Sequence, residues 1–245
     1  FEKQCWPGSN PMFAKFLQKK EGTLKSLSHL VNVRSLLLSI VGLLVLFVIF
    51  YASVSALRAL DSEREASLQV TVSGIVNDIT EAQLALAAER GTANTALGFE
   101  LPAESGFRRL VTDQRSQFDE AFSAAHEEID TLPDFASKAE KIEAVDAAYE
   151  TYLALRSEVD TAMNTAVDSR ARRIDRQMFS TITDFVERLR DMRVAVTSAF
   201  PAENPEIAAN DRLQFLLWTM QEYASRDWGA VGEAIASGNP LSSIK

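Results

Sequence analysis

The hydrophobic pattern separates one long uncharged stretch from the amphipathic remainder of the chain. Residues 35–57 are 23 consecutive positions without a charged side chain. As a helix they would extend roughly 35 Å, enough to cross a hydrocarbon core of about 30 Å. The stretch is longer than the apolar part of a signal peptide, although residues 53–56 loosely resemble a cleavage site. We therefore predict a transmembrane helix at 35–57, and a cleaved signal peptide is the alternative.

Beyond this span, apolar residues recur at alternating spacings of four and three, which is typical of helices in left-handed bundles. Three such seams comprise Leu68, Val72, Ile75, Ile79, Ala82 and Leu86; Val111, Arg115, Phe118, Phe122, Ala125 and Ile129; and Ile142, Val145, Tyr149, Tyr152, Arg156, Val159 and Met163. Pro and Gly mark the breaks at 98–102, 131–134, 201–205 and 238–240, with a weaker break near 168–169. No stretch alternates with period two, so the prediction is all-α: a long transmembrane helix continuing into an antiparallel up-and-down helical bundle.

The last stretch before Gly238 is apolar on two faces. One stripe consists of Leu213, Leu217, Met220, Ala224, Val231 and Ile235. Phe215 and Trp218 lie on the opposite side of the same helix. A helix that is apolar on both sides is expected to be buried on both, so we predict a central position for it.

The charges on either side of the uncharged span predict its orientation. Residues 1–34 carry six basic and two acidic side chains, whereas the region directly after the span is mixed in sign. An excess of Lys and Arg is typical of the cytoplasmic side. We therefore predict a cytoplasmic segment at 1–34, in which 1–11 precede Met12 and look extraneous, and an extracytoplasmic domain at 58–245. This domain is therefore expected to face the exterior or periplasm.

The extracytoplasmic domain is strongly acidic. Of the 25 basic and 34 acidic residues in the chain, 19 and 32 lie after residue 34. This balance argues against nucleic acid as a partner, because nucleic-acid binding needs a concentrated basic face. An anionic ligand would have to be held by arginines gathered locally. The only cysteine is Cys5, so the domain has no disulfides.

Two arginines lie on the apolar seams within an internal repeat. Residues 115–122 and 156–163 share the pattern R-S-x-φ-D-x-A-φ, where φ is an apolar residue. Arg115 and Arg156 must find partners, because burying an unpaired charge is costly. Asp119 and Asp160 follow each arginine by four residues, where helical side chains meet. The repeat therefore indicates local ion pairs that fix helix packing, with ligand binding as the alternative.

Arg90 and Arg226 are the sharper candidates for binding an anion. Arg90 interrupts an apolar stripe, and the small residues Gly91, Thr92 and Ala93 beside it leave room for a compact ligand. A guanidinium group meets a carboxylate, nitrate or phosphate through two parallel hydrogen bonds. The alternative for Arg90 is an ion pair with a neighbouring helix. Arg226 lies on the Phe215 face of the last helix, where a role in ligand binding is plausible but not required.

Three segments together resemble the nitrate- and nitrite-sensing (NIT-type) helical domain of methyl-accepting chemotaxis proteins and related transducers. They are LAAERGTANTALG, the R-S-x-V-D-x-A repeat and WTMQEYASRDWGAVGEAIASGNPLS, and the likeness covers residues 68–245. The family's E-R-G motif matches at 89–91. Its Y-A-G-R-E-R motif stands here as residues 223–228, with Trp228 in place of the second arginine. The resemblance implies that Arg90 and Arg226 hold a small oxyanion between helices, and that a helix shift passes through the membrane.

The resemblance also implies the kind of protein. We expect the sensor region of a chemoreceptor-like homodimer that binds a nitrate- or nitrite-like anion, with Arg115 and Arg156 as further candidate ligand residues. A histidine kinase or diguanylate cyclase input region is one alternative, and a structural dimerisation or protein-interaction bundle is another. A receptor of this type would return to the membrane, so the chain looks incomplete after Pro240.

No catalytic motif is present. The chain has no phosphate-binding loop, nucleophile elbow or zinc-protease motif, and its only histidines are His29 and His126. His126 and Asp130 lie one helical turn apart, but without a third ligand a solvated helix face is the better interpretation. We therefore expect a protein that is not an enzyme and that has no cofactor or metal.

Overall fold

The computed structural model describes residues 33–202 and 204–238, and all secondary structure in them is helical. The predictions for Cys5, His29, the rest of the segment before residue 33 and the residues after Gly238 lie outside this part of the chain. Five α-helices and one short 3₁₀ turn make up the described residues. They are α1 (Val33–Gly98), α2 (Ser105–Thr131), α3 (Lys138–Met163), the 3₁₀ turn (Val167–Ser169), α4 (Ile174–Ala199) and α5 (Pro205–Ser237). The all-α prediction is confirmed.

The chain divides into two units, residues 1–64 and 65–245. In the first unit, the described part is the beginning of α1, whose apolar side chains are exposed. It includes a window of mean hydropathy 2.7 with no buried residue, so this helix is long and apolar enough to be a candidate membrane span. The hydroxyls of Ser39 and Ser53 donate to carbonyls four residues earlier, which satisfies them within the helix.

The helix ends follow the predicted breaks. Gly98 is the last residue of α1, Thr131 is the last residue of α2, and the 3₁₀ turn contains the weaker break near 168–169. Helix α5 begins at Pro205, where the missing N–H of proline costs nothing, and the Asn204 side chain accepts a hydrogen bond from the Glu206 N–H. Gly238 ends this helix in the left-handed conformation with φ of 65°.

In the second unit, neighbouring helices along the chain run antiparallel. Glu89 on α1 pairs with Arg115 on α2, whereas Gly74, earlier on α1, lies beside Glu128, later on α2. Pairs of contacts show the same reversal between α2 and α3, between α1 and α4, and between α4 and α5. Helix α5 runs parallel to α1. The second unit is therefore an up-and-down helical bundle.

The core of the bundle is formed by the predicted seams and by the apolar side of α4. Residues 72–86 of the first seam are buried at Val72, Ile75, Ile79, Ala82 and Leu86. Aromatic rings of α2, α3 and α4 meet at the centre. These rings are Phe118, Phe122, Tyr149, Tyr152 and Phe185, with several edge-on contacts at centroid distances of 5.3–5.7 Å. Helices α1 to α4 and their connections thus supply nearly all of the buried core, to which α5 adds Trp218.

Helix α5 lies at the edge of this core, and the prediction of a central position is wrong. Among its described residues, only Trp218, Glu222 and Gly229 are buried. Phe215 and Trp218 face the bundle, whereas the opposite stripe is open, with Met220 at 70% and Ile235 at 78% exposure. The physical reason is that four helices already fill the core, so only one of the two apolar faces of α5 finds a partner.

The α1–α5 contact is made by small residues that let the two backbones approach closely. A methyl group on Gly229 would lie 3.7 Å from the Gly91 Cα atom, and one on Gly98 would lie 2.9 Å from Ala236 Cβ. Asn94 Nδ2 donates to the Gly229 carbonyl at 2.9 Å. This close approach brings the middle of α5 against the Glu89–Arg90–Gly91 segment of α1.

Candidate functional site

Two polar networks begin at adjacent residues of α1 and extend in different directions. Glu89 and Arg90 are both buried, at 2% and 0% exposure. We call the first the Glu89 network, which comprises Glu89, Arg115, Asp119, Tyr152, Arg156 and Asp160 on α1, α2 and α3. The second is the Arg90 network, which comprises Arg90, Thr183, Glu187, Glu222, Ser225 and Arg226 on α1, α4 and α5. The four arginines predicted from sequence all belong to one of these networks.

The Arg90 side chain points into the bundle. The fork formed by its two Nη atoms is occupied by a carboxylate. Nη1 and Nη2 donate to the two carboxylate oxygens of Glu222, each at 2.9 Å. Nη1 also donates to Thr183 Oγ1 at 3.0 Å, and the guanidinium carbon lies 5.1 Å from the centre of the Phe179 ring. Bidentate geometry of this kind is the strongest arrangement an arginine makes with a planar anion. It ties α1 to α4 and α5.

Glu222 is shared between two arginines. Its Oε1 atom accepts from Arg90 Nη1 and also from Arg226 Nε, the latter at 2.7 Å. Arg226 reaches further to Glu187 on α4 through its Nη2 atom at 2.8 Å. Burial tends to lower the pKa of Arg226, but its hydrogen bonds to Glu222 and Glu187 raise it above its ordinary value. Arg226 is therefore linked to Arg90 through the Glu222 carboxylate.

The Glu89 carboxylate is the centre of the other network. It accepts from Arg115 Nε at 2.7 Å through one oxygen and from the Tyr152 hydroxyl through the other. Burial raises the pKa of Glu89 in spite of the opposing effect of Arg115. The Tyr152 hydroxyl in turn accepts from Arg156 Nη2 at 3.0 Å, and burial together with Glu89 raises its pKa. These contacts join α1, α2 and α3 near the aromatic core.

The two repeat arginines pair across helices and not within them, so the predicted local pairs are wrong. Arg115 Nη1 contacts Asp160 Oδ1 at 2.7 Å, and Arg156 forms a bidentate pair with Asp119 at 2.7 and 2.9 Å. The reason is the antiparallel arrangement of α2 and α3. When two copies of an Arg-x-x-x-Asp pattern run in opposite directions side by side, the arginine of each lies opposite the aspartate of the other.

A groove lies beside the small residues that follow Arg90, but the guanidinium group does not line it. The cavity has a volume of about 620 Å³ between α1, α2 and α5, and Gly91, Thr92, Gln114 and Trp228 are among its lining residues. Among the residues that the structure describes, no charged side chain lines it. The small residues thus leave space, as expected from the sequence, and Ser225, which lines this space, accepts from Arg90 Nη2 at 3.3 Å.

His126 pairs with a residue that the sequence did not suggest. Its Nε2 atom lies 2.9 Å from Asp146 Oδ1 on α3, and Asp130 is exposed one turn away on α2. Among residues 33–202 and 204–238, no group of three or more His, Cys, Asp or Glu side chains is placed to hold a metal ion. The histidine thus contributes a contact between α2 and α3.

Six residues of the networks were missed by sequence reasoning: Glu89, Tyr152, Thr183, Glu187, Glu222 and Ser225. Glu222 precedes Arg226 by four residues, a spacing that predicts the ion pair seen here. Tyr152 was predicted as an apolar seam residue, and its hydroxyl supplies the polar contact. No protein-family model, no curated protein and no solved structure matches this chain, so its likeness to the NIT-type domain stays a prediction.

Proposed function

We propose that this chain is the membrane-anchored, extracytoplasmic sensor region of a bacterial signal-transducing receptor. In this proposal a small oxyanion, nitrate or nitrite, binds between helices at the Arg90 network. The supporting observation is the filled fork of Arg90. Glu222 presents two oxygens to a fully buried guanidinium, which is the geometry that nitrate or nitrite would also adopt. A nitrate-like anion therefore competes with Glu222 for the same donors.

Binding of an anion to Arg90 in place of Glu222 would change the hydrogen bonds of Glu222. The carboxylate would keep its hydrogen bond from Arg226 at 2.7 Å while losing the two from Arg90. The ion pair that joins α1 to α5 would be replaced by a bound anion on α1 and a separate pair on α5. A ligand shifts such an equilibrium only by its difference in affinity for the two arrangements. The signal would be the resulting displacement of α5 relative to the bundle part of α1.

The proposed topology places residues 1–34 in the cytoplasm and the bundle outside the inner membrane, with the candidate span in α1 between them. The basic excess before the span supports this orientation. We propose a homodimer and a chemoreceptor-like output, and the input region of a histidine kinase or diguanylate cyclase is equally compatible. Nucleic acid is not a proposed partner, because the region after residue 34 is acidic.

A second candidate is a bundle that holds or reports a protein partner and binds no solute. One observation favours it: Arg90, Arg115, Arg156 and Arg226 each already have at least one carboxylate partner. In that case these ion pairs would serve only to fix the packing of the helices. The two candidates differ in whether Arg90 responds to added anion.

The test is calorimetric unfolding of the purified full chain in detergent micelles with increasing sodium nitrate or sodium nitrite. Sodium chloride at equal ionic strength provides the baseline. The receptor proposal expects the Tm to rise with nitrate or nitrite in the wild type and in Arg109→Met, a control that removes an exposed arginine. It expects a smaller rise in Arg90→Met, in which the contribution of the Arg90 site is lost. An equal rise in Arg90→Met, or none in the wild type, would contradict oxyanion binding at Arg90 and favour the structural candidate.

A further inference from the structure

Arg193 on α4 is a buried arginine outside both networks. Its exposure is 2%, and its Nη1 atom has no hydrogen-bond partner among the described residues. The guanidinium carbon lies 5.4 Å from the centre of the Phe215 ring on α5. A ring face stabilises a cation only modestly compared with a carboxylate. Arg193 is therefore buried with less compensation than Arg90.

The charge of Arg193 is poorly compensated by its surroundings. Burial lowers the pKa of Arg193, and the nearby charge of Asp211 offsets this only in part. Taking a charge out of water without a hydrogen-bonded counter-ion is expensive, and native proteins avoid it unless the position has a use. A guanidinium with an unused donor can in addition bind an anion.

A cavity of about 320 Å³ adjoins this guanidinium. It lies between α4, the connection at Pro201 and Ala202, and the first turns of α5. Arg193, Arg212 and Asp211 are the charged residues of its described lining. Among the described lining residues, two guanidinium groups and one carboxylate leave a single positive charge. The first turns of a helix also favour negative charge.

We propose that this cavity is a binding site for a compact oxyanion of single negative charge, such as a small carboxylate or nitrate. Arg193 supplies the buried hydrogen-bond donors, and Arg212 contributes charge from the exposed rim. The volume is at the small end of the usual range for ligand cavities, which favours a compact ligand. The lining charge favours a monoanion over a dianion. Unlike the Arg90 fork, this site binds an anion without displacing a protein carboxylate.

The test uses the purified full chain in detergent micelles and scanning calorimetry. The probes are sodium acetate, sodium nitrate and sodium phosphate, with sodium chloride at equal ionic strength as the baseline. We expect acetate and nitrate to raise the Tm by about 3–6 °C at ten times Kd, and phosphate to raise it less. In Arg193→Met the acetate response should be absent. Arg190→Met, which removes a paired arginine one turn earlier on α4, should keep it.

A second variant keeps the test decisive if Arg193→Met folds poorly. Asp211→Asn removes the negative charge of the described lining and should lower the acetate concentration for half of the Tm rise several-fold. The site is disproved if Asp211→Asn leaves that concentration unchanged, or if Arg193→Met keeps the full acetate response. Loss of the nitrate response in Arg90→Met, with an unaltered response in Arg193→Met, would support the proposed receptor site and overturn this one. The two proposals therefore fail separately.

Discussion

Arg90 and Arg193 are both almost completely buried, yet their surroundings are opposite. Arg90 donates to both oxygens of Glu222 and to two hydroxyls, whereas Arg193 lies over a phenylalanine ring beside a cavity. In the first case the protein supplies the counter-ion, and the charge serves to join helices. In the second, no described carboxylate forms an ion pair with the guanidinium, and the nearby charge of Asp211 offsets its burial only in part. The comparison teaches that burial of an arginine is not by itself evidence of a ligand site, because the partners of the guanidinium decide which role it has.

The largest expected effect comes from removing the counter-ion of Arg90. Glu222→Ala leaves a guanidinium without its carboxylate at 0% exposure, and we expect a loss of about 3–5 kcal/mol in the free energy of unfolding. Urea denaturation of the full chain in micelles would measure it. The control is Asp227→Ala, an exposed acid on the same helix, which should change stability by less than about 0.5 kcal/mol. Equal effects would mean that the Arg90 pair does not hold α5 in place.

The next effect is a pH dependence that arises at Glu89. Burial raises its pKa above the ordinary value of 4.5, so the folded chain binds this proton more tightly than the unfolded chain. The contribution is present at low pH and is lost as the pH rises through the raised pKa. It should reduce stability by up to about 1.4 kcal/mol per pH unit within that window.

Comparison of variants isolates this contribution, because Arg115, Tyr152 and Arg156 face the carboxylate and do not titrate there. Urea denaturation of the wild type and of Glu89→Gln should be measured from pH 4.5 upward. The variant should lack the slope that Glu89 causes. Glu158→Gln, which changes an exposed carboxyl, should keep it, and identical slopes in the wild type and Glu89→Gln would show that Glu89 is not desolvated.

Replacing Arg193, which has no ion-paired carboxylate, should change the free energy of unfolding in the opposite direction from disrupting the Arg90 pair. Arg193→Met keeps the apolar stem and removes the desolvated charge, so we expect stability without added oxyanion to rise by about 1 kcal/mol. Arg90→Met should lower stability, because it leaves the Glu222 carboxylate with one arginine fewer. Urea denaturation in sodium chloride would test both. A loss of stability in both variants would erase the distinction between the two environments.

The smallest effect concerns the pairs that cross between α2 and α3. A double-mutant cycle for Arg156 and Asp119 should give a coupling energy of about 0.5–1 kcal/mol, since the aspartate is partly exposed. The same cycle for Arg156 and Asp160, which are neighbours on one helix, should give a coupling close to zero. The reverse result would restore the local pairing that the sequence suggests.

Most of the fold could be predicted from residue pattern alone. The heptad seams of α1, α2 and α3 became the core, because a 3.5-residue period requires one side of each helix to face its neighbours. Breaks at Gly98, Thr131 and Pro205 marked helix ends, because proline and glycine interrupt the backbone hydrogen bonding of helices. These features depend on residues that are close together along the chain, so they can be read from the sequence alone.

The parts that failed depend on how helices align with one another. Arg115 and Arg156 were assigned partners on their own helices, since the register between α2 and α3 cannot be derived from either helix. Two apolar faces on α5 suggested burial of both, since nothing in that segment shows that four other helices complete the core. Arg193 was missed, although it interrupts the apolar run from Met192 to Val196, and such an interruption was the signal that singled out Arg90.

Small residues along the α1–α5 contact affect how the position of α5 is maintained. Where Gly91 meets Gly229 and Gly98 meets Ala236, no large side chain fits into a gap on the opposite helix. Steric interlocking therefore offers little resistance to axial translation of α5 along this segment. The axial position of α5 is maintained by hydrogen bonds, chiefly those from Asn94 and Arg90. Dissolved ions that weaken these bonds act directly on the register of the two helices.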